Sequence, residues 1–334
     1  MNNKSNGKSR INNMNQNLNR REFISQSVLA TVGATVVSSA AAAPNAPKEP
    51  ASPTSATPMP VGKIGKLSIS RLISSGNLIG GWAHSRDLGY VGELMRTYNT
   101  DEKVMDTLEL LEKHGVNTII CDPAEKTFRI FGKYWKERGG KIQWIAEGHP
   151  STDDWMTNMQ KSIDFGAAAV YVQGVISDQW LLGNQLDLLG NCVTLVKSQG
   201  LPGGIGAHEL EVIVQSEKNN YGADFYVKTL HQGDYWSRRK SESEPHVVNN
   251  PADNYWDRDP EKTIAFMKEV KKPWIAFKTL AAGAIRPESG FSYAFKNGAD
   301  HICVGMFDFH VERNVALVLS VLHRTKNRER AWLS

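Results

Sequence analysis

Titratable side chains recur at one kind of place in this sequence, immediately after a short apolar run. Asp122 follows Thr118–Cys121, Glu147 and His149 follow Ile142–Ala146, and Gln173 follows Ala169–Val172. His208 and Glu209 come after Gly203–Gly206, and Lys228 and His231 after Phe225–Val227. Lys278 comes after Trp274–Phe277, and Asp308 with His310 after His301–Val304. An imidazole titrates near neutral pH and suits acid/base work. Histidine is also the commonest protein ligand of divalent metals, and Glu147, His208 and His231 form the candidate metal set. No HxH or HExxH spacing accompanies them, so residue types alone leave both chemistries open. Lys228 and Lys278 can hold a substrate carboxylate or phosphate, or act as bases if desolvated. The competing explanation is that they pair with Asp122 or Glu147.

The apolar runs that carry these residues are four or five residues long and bounded by Gly, Pro or Asp, the pattern of buried parallel strands. Leu72–Leu78 makes an eighth. Helical stretches separate them: Asp101–His114 with Thr100 as N-cap and Gly115 as stop, Lys126–Arg138, Asp153–Phe165, Gln185–Gln199, a stretch ending near Asn219, Asp259–Val270, Phe291–Lys296, and one from Val311. Eight strands alternating with eight helices predict a (β/α)8 TIM barrel, in which residues after each strand converge on one rim. A doubly wound open sheet is the alternative. Lys66–Ile69 predicts one arm of a short N-terminal hairpin.

The repeat breaks after the sixth strand, where Gln232–Arg258 has no periodicity. Tyr235, Trp236, Tyr255 and Trp256 are interleaved there with Arg238, Arg239, Asn249, Asn250 and Asn254. Flat aromatic faces beside amides and guanidinium groups suit sugar rings, and a loop this long is usually functional or disordered. Trp82 and Gln173 join Tyr235, Trp236 and Trp256 as candidate substrate contacts.

At 334 residues and 40% hydrophobic content, the chain can bury a large core. The net charge of +4 is concentrated at the start: the first twenty-one residues carry five Lys/Arg and no acid. The rest is close to neutral, which argues against a nucleic-acid partner. Cys121, Cys192 and Cys303 lack CxxC spacing and predict buried free thiols. Arg20-Arg21-Glu22-Phe23-Ile24, the mildly apolar Val28–Val37 and Ala40–Ala43 resemble a twin-arginine (Tat) signal, read by the Tat export machinery. The expected division is a signal over 1–43, a Pro/Ala/Ser-rich leader over 44–61, and a barrel over 62–334. The expected location is periplasmic or otherwise exported. The apolar stretch is too short and polar for a stable membrane span.

Leu72–Trp82, Thr100-Asp101-Glu102, His114-Gly115-Val116-Asn117 and the strand ending in Asp122 resemble the start of an aldo/keto reductase. Phe277–Gly283, Asn297–Met306 and Glu312-Arg313-Asn314-Val315 resemble that family around its last two strands, and the likeness spans 66–322. The resemblance implies the barrel and, in the family, carbonyl reduction with NADPH by an Asp, a Tyr, a Lys and a His. The aspartate matches Asp122. Thr127 stands where the tyrosine is expected, Glu147 where the lysine is, and Gln173 where the histidine is. Asp308 and Glu312 replace the basic cluster that holds the 2′-phosphate, so NADP binding is not expected.

The sequence therefore predicts an exported barrel enzyme acting on a carbohydrate-like small molecule. Acid/base or metal-assisted lyase, isomerase or hydrolase chemistry fits, with Asp122, Glu147, His149, His208, Lys228, His231 and Lys278 as catalytic candidates. One alternative is an NAD(P)-linked, aldo/keto-reductase-like oxidoreductase with a rearranged site. Another is a non-catalytic sugar-binding barrel.

Overall fold

Strands too short to stand alone close on one another here. The computed structural model describes residues 58–85, 88–238, 257–325 and 327–334. An antiparallel hairpin, β1 (Val61–Ile64) and β2 (Leu67–Ser70), leads into eight parallel strands. They are β3 (Leu72–Ser75), β4 (Thr118–Cys121), β5 (Gln143–Gly148), β6 (Ala169–Val172), β7 (Gly203–Ala207), β8 (Phe225–Thr229), β9 (Trp274–Phe277) and β10 (His301–Val304). They pair in chain order, and β10 pairs with β3 to close the barrel. The (β/α)8 expectation holds, and seven of the eight strands start at the residue expected.

The period of two sorts the side chains. Ile73, Ile120, Ile145, Ala169, Tyr171, Phe225, Val227, Ile275 and Cys303 pack together as one cluster. Their strand neighbours, such as Ile119, Cys121, Trp144, Val170, Tyr226 and Trp274, pack with helix residues in another. The first set fills the barrel and the second seals it against the helices. Ile64 and Ile69 of the hairpin belong to the inner set. Asn117 and Gln143, at the starts of β4 and β5, both donate to the Ser68 carbonyl. The hairpin thus plugs the end where the strands begin, and leaves the opposite rim for chemistry.

The helices are α1 (Asn77–Gly80), α2 (Tyr90–Tyr98), α3 (Asp101–Lys113), α4 (Glu125–Glu137), α5 (Thr157–Phe165), α6 (Gly174–Leu182), α7 (Asp187–Ser198), α8 (Leu210–Lys218), α9 (Pro260–Glu269), α10 (Pro287–Lys296) and α11 (Asp308–Arg324). Thr100 caps α3 by accepting from the Lys103 amide at 3.2 Å, and Gly115 follows with φ +79°. Three helices were not expected: α1, α2 and α6. α6 lacks the apolar spacing that marks a helix, because Val175, Ile176, Trp180, Leu181 and Leu182 surround its axis. The three cysteines are free and buried. Just before Gly62, Met59 is buried and the Pro60 carbonyl accepts from the Arg71 amide. Residues 1–57, with the proposed signal and most of the leader, lie outside the described residues.

Candidate active site

Strand parity decides which end-of-strand residues face the barrel. Asp122 continues the inward register of Ile120, and Glu147 that of Ile145. Glu147 Oε2 accepts the Tyr171 hydroxyl at 2.6 Å, and its Oε1 lies 3.2 Å from His149 Nε2. Burial pushes the Glu147 carboxyl up, but the hydrogen bonds from His149 and Tyr171, with the His149 and Lys278 charges, together outweigh it and hold the group below its ordinary value. Burial likewise pushes the His149 imidazole down, and the Glu147 carboxylate more than restores it, leaving it raised. Asp122 is raised by its own burial and by the negative charge of Glu147, against the pull of His149 and Trp82. The three residues form one interacting group, and Tyr171, inward-facing within β6, is the member that sequence reasoning missed.

Across the mouth, His208 Nδ1 lies 2.7 Å from Asp178 Oδ2. Asp178 is on α6 and fully buried. Burial and the nearby Lys278 and Lys228 charges hold the His208 imidazole well below its ordinary value. Its ring centroid is 5.1 Å from that of Phe277. Lys278 follows β9 with φ +55°, and its Nζ is 3.2 Å from His84 Nε2. Lys278 also lowers the Glu147 carboxyl, so its charge reaches both halves of the mouth.

Other candidates are placed elsewhere. Lys228 shares the outward register of Tyr226 and is fully buried; its Nζ donates to the Thr229 carbonyl and hydroxyl oxygens at 3.1 and 2.8 Å. It pairs with Asp257 Oδ2 at 3.5 Å rather than with Asp122 or Glu147. Gln173 caps α6, its Oε1 accepting from the Ile176 amide at 3.3 Å. Tyr235 is a packing residue, buried against Ala281 and Ile285 and edge-on to His231. Trp82 and Trp236 are exposed, 59% and 75%. Trp256 lies outside the described residues.

Of the candidate metal set, His231 is engaged by the backbone at both ring nitrogens. The Asp257 amide donates to His231 Nε2 at 2.7 Å, so His231 Nδ1 carries the proton and faces the Gln232 carbonyl at 3.1 Å. Neither ring nitrogen is left to coordinate an ion. Among the described residues, no group of three or more His, Cys, Asp or Glu is disposed to hold a metal. Burial pushes His231 down to about 4, which keeps the ring neutral and the bond to Asp257 intact. His231 ties together two segments 26 residues apart in sequence. Replacing it with alanine is expected to cost about 1–3 kcal/mol, the penalty of a buried N–H left without an acceptor, measured by urea denaturation. An unchanged midpoint would remove the staple.

No model of a known protein family matches the sequence, and no curated protein matches it. Solved structures do. An aldo-keto reductase from Pseudomonas aeruginosa superposes with a TM-score of 0.53 at 17% identity, over 79% of this chain and 94% of that one. The apo form of the protein Gox0644 gives 0.52 at 8% identity, over 82% and 97%. A Gox0644 variant in complex with NADPH gives 0.50 at 8% identity, over 82% and 96%. At these identities the likeness establishes the barrel architecture.

Proposed function

We propose that this chain is an oxidoreductase of aldo-keto-reductase-like architecture, with a rearranged acid/base site, acting on a small carbonyl or hydroxyl compound. The observation that carries the reading is the Glu147 carboxylate, which holds His149 and Tyr171 together on the inner face of the rim beside Asp122. Its structural neighbours favour redox chemistry over the lyase, isomerase or hydrolase reading. When bound, a nicotinamide would supply or accept the hydride. The chain's own part is the proton: a raised, part-exposed His149 can deliver it to a substrate oxygen and take it back.

The residues at the start of α11 do not fit a 2′-phosphate. Asp308 accepts from Tyr98 Oη at 2.8 Å and pairs with Lys103 at 3.0 Å. This arrangement already pairs the Lys103 charge with a carboxylate that would repel a phosphate. A carboxylate suits a ribose 2′-hydroxyl instead. NADH is therefore expected to bind about tenfold or more tightly than NADPH, since two like charges near contact cost on the order of 1 kcal/mol or more. Quenching of tryptophan fluorescence by each nucleotide measures this. A micromolar NADPH constant with weaker NADH binding would overturn the cofactor preference, and no binding of either would overturn the redox reading.

A second reading, non-redox proton transfer on a sugar-like molecule, is favoured by the exposed Trp82 beside Asp122. Isomerisation of aldoses without added nicotinamide distinguishes it. Export through the Tat machinery is part of the same proposal and rests on Arg20-Arg21 and the small-residue stretch after it. Among the described residues no helix is long and apolar enough to cross a membrane. Changing both Arg20 and Arg21 to Lys is expected to trap the full-length protein in the cytoplasm, as read by cell fractionation; unchanged export would refute it.

A further inference from the structure

Asp178 lies one helical turn after Gly174, so the two share a face of α6. That face is shaped to His208. A Cβ on Gly174 would come within 3.1 Å of His208 Cε1 and 3.2 Å of Nδ1, so the glycine makes room for the ring. Asp178 then holds it. Its Oδ1 accepts from the His208 and Glu209 amides at 3.1 and 3.0 Å, and its Oδ2 lies 2.7 Å from Nδ1. Phe277 packs against the same ring, and His208 is among the residues lining a cavity of about 340 Å³ with Asp257 and Thr263.

We infer that Asp178 is a positioning residue that fixes His208 in the Nδ1–H tautomer, making Nε2 the proton-accepting nitrogen on this side of the barrel mouth. The inference rests on the acid/base reading proposed above and assigns it a second proton-handling group. Two backbone N–H donors aimed at the carboxylate favour its ionised form, and an ionised carboxylate can only accept, so Nδ1 must donate. Burial still leaves Asp178 raised to about 7 after the two amides and the Lys228 and Lys278 charges have opposed it, so the carboxylate is ionised, and the Nδ1–H tautomer fixed, above that pH. The neutral imidazole takes a proton at Nε2, and the imidazolium formed is stabilised by Asp178 at Nδ1. Lys278 and Lys228 then favour its rapid release, since they disfavour the charged ring.

Structural capping alone would need only an acceptor for the two amides. Asp178→Asn separates the roles. The asparagine oxygen can keep both amides while its NH2 faces Nδ1, which must then accept, leaving the ring proton on Nε2. Nitrogen-15 NMR of the full chain with labelled histidine reads the tautomer directly, with a His208→Gln spectrum to assign the signals. Above the pH at which Asp178 ionises, the expected result is Nδ1–H in the wild type and Nε2–H in Asp178→Asn. Turnover is expected to fall roughly 10²–10⁴-fold with little change in KM. An Nε2–H wild type, an unchanged tautomer in the variant, or a reversed tautomer with unchanged kcat/KM would each overturn the inference. The wild-type spectrum decides the tautomer even if the variant fails to fold. It needs no substrate, so its failure is separate from failure of the oxidoreductase reading.

Discussion

Replacing Asp300 with alanine is expected to lower the Tm by roughly 10 °C, the largest stability loss foreseen for any single side chain here. Asp300 has no exposed surface and sits just before β10, at the plugged end of the barrel. Oδ1 receives Arg328 Nη2 at 3.0 Å and the Leu333 amide at 2.9 Å. Oδ2 receives Arg330 Nη1 at 2.7 Å and the Trp274 amide at 3.0 Å. Trp332 lies between the guanidinium groups of Arg71 and Arg328, at 4.1 and 3.5 Å from its ring centroid. Removing the carboxylate strands two buried cations, and breaking a buried pair in this way costs about 3–5 kcal/mol. In a domain of this size, each kcal/mol moves Tm by about 2–4 °C. Burial raises the Asp300 carboxyl, but Arg330 and the Leu333 and Trp274 amides together outweigh it and leave the group depressed. A depressed carboxyl stabilises the fold above its ordinary value of 3.8, and that contribution is lost as pH falls through the depressed value. Breaking the exposed Lys161–Glu125 pair by Glu125→Ala should cost no more than about 1 kcal/mol. Equal losses in the two variants, read by calorimetry, would show that the buried network is not what holds this end.

Strand positions were legible because each strand is a short apolar run cut off by Gly, Pro or Asp. Much of the site was legible too, through the same period of two. Counting from Ile120 and Ile145 places Asp122 and Glu147 inward. The same count places Lys228 with Tyr226, outward, so its absence from the mouth could have been read from the sequence. Tyr171 was likewise within reach, two residues after the inward Ala169. Asp178 was not: α6 carries apolar residues all round and gives no helical period, so nothing linked a mid-chain aspartate to a histidine 30 residues later. His231 shows the opposite failure. Its type suggested a ligand, but the Asp257 amide and the Gln232 carbonyl occupy both ring nitrogens. The Gln232 carbonyl is the next residue's, but only tertiary structure brings the Asp257 amide to the ring.

Replacing His149 with glutamine is expected to lower turnover roughly 10²–10⁴-fold, the contribution typical of a general acid or base, with KM little changed. A residue that acts mainly in the transition state lowers kcat and kcat/KM together. The pH profile carries the sharper test. Because Glu147 raises the His149 imidazole above its ordinary 6.5, carbonyl reduction should persist through neutrality and decline as pH rises through that raised value. The pair's stabilising contribution follows the same direction on the histidine side, present below 6.5 and lost as pH rises through the folded value. On the glutamate side it is present above the ordinary 4.5 and lost as pH falls through the depressed value. Glu147→Gln keeps an acceptor for Tyr171 but removes the charge beside His149. The alkaline limb should therefore shift to lower pH while the acid itself remains. His149→Gln should abolish that limb altogether. If Glu147→Gln moved the limb upward, or left it in place, the proton delivered to substrate would not be the one this carboxylate holds on His149, and Asp122, raised by the same carboxylate, would become the next group to test.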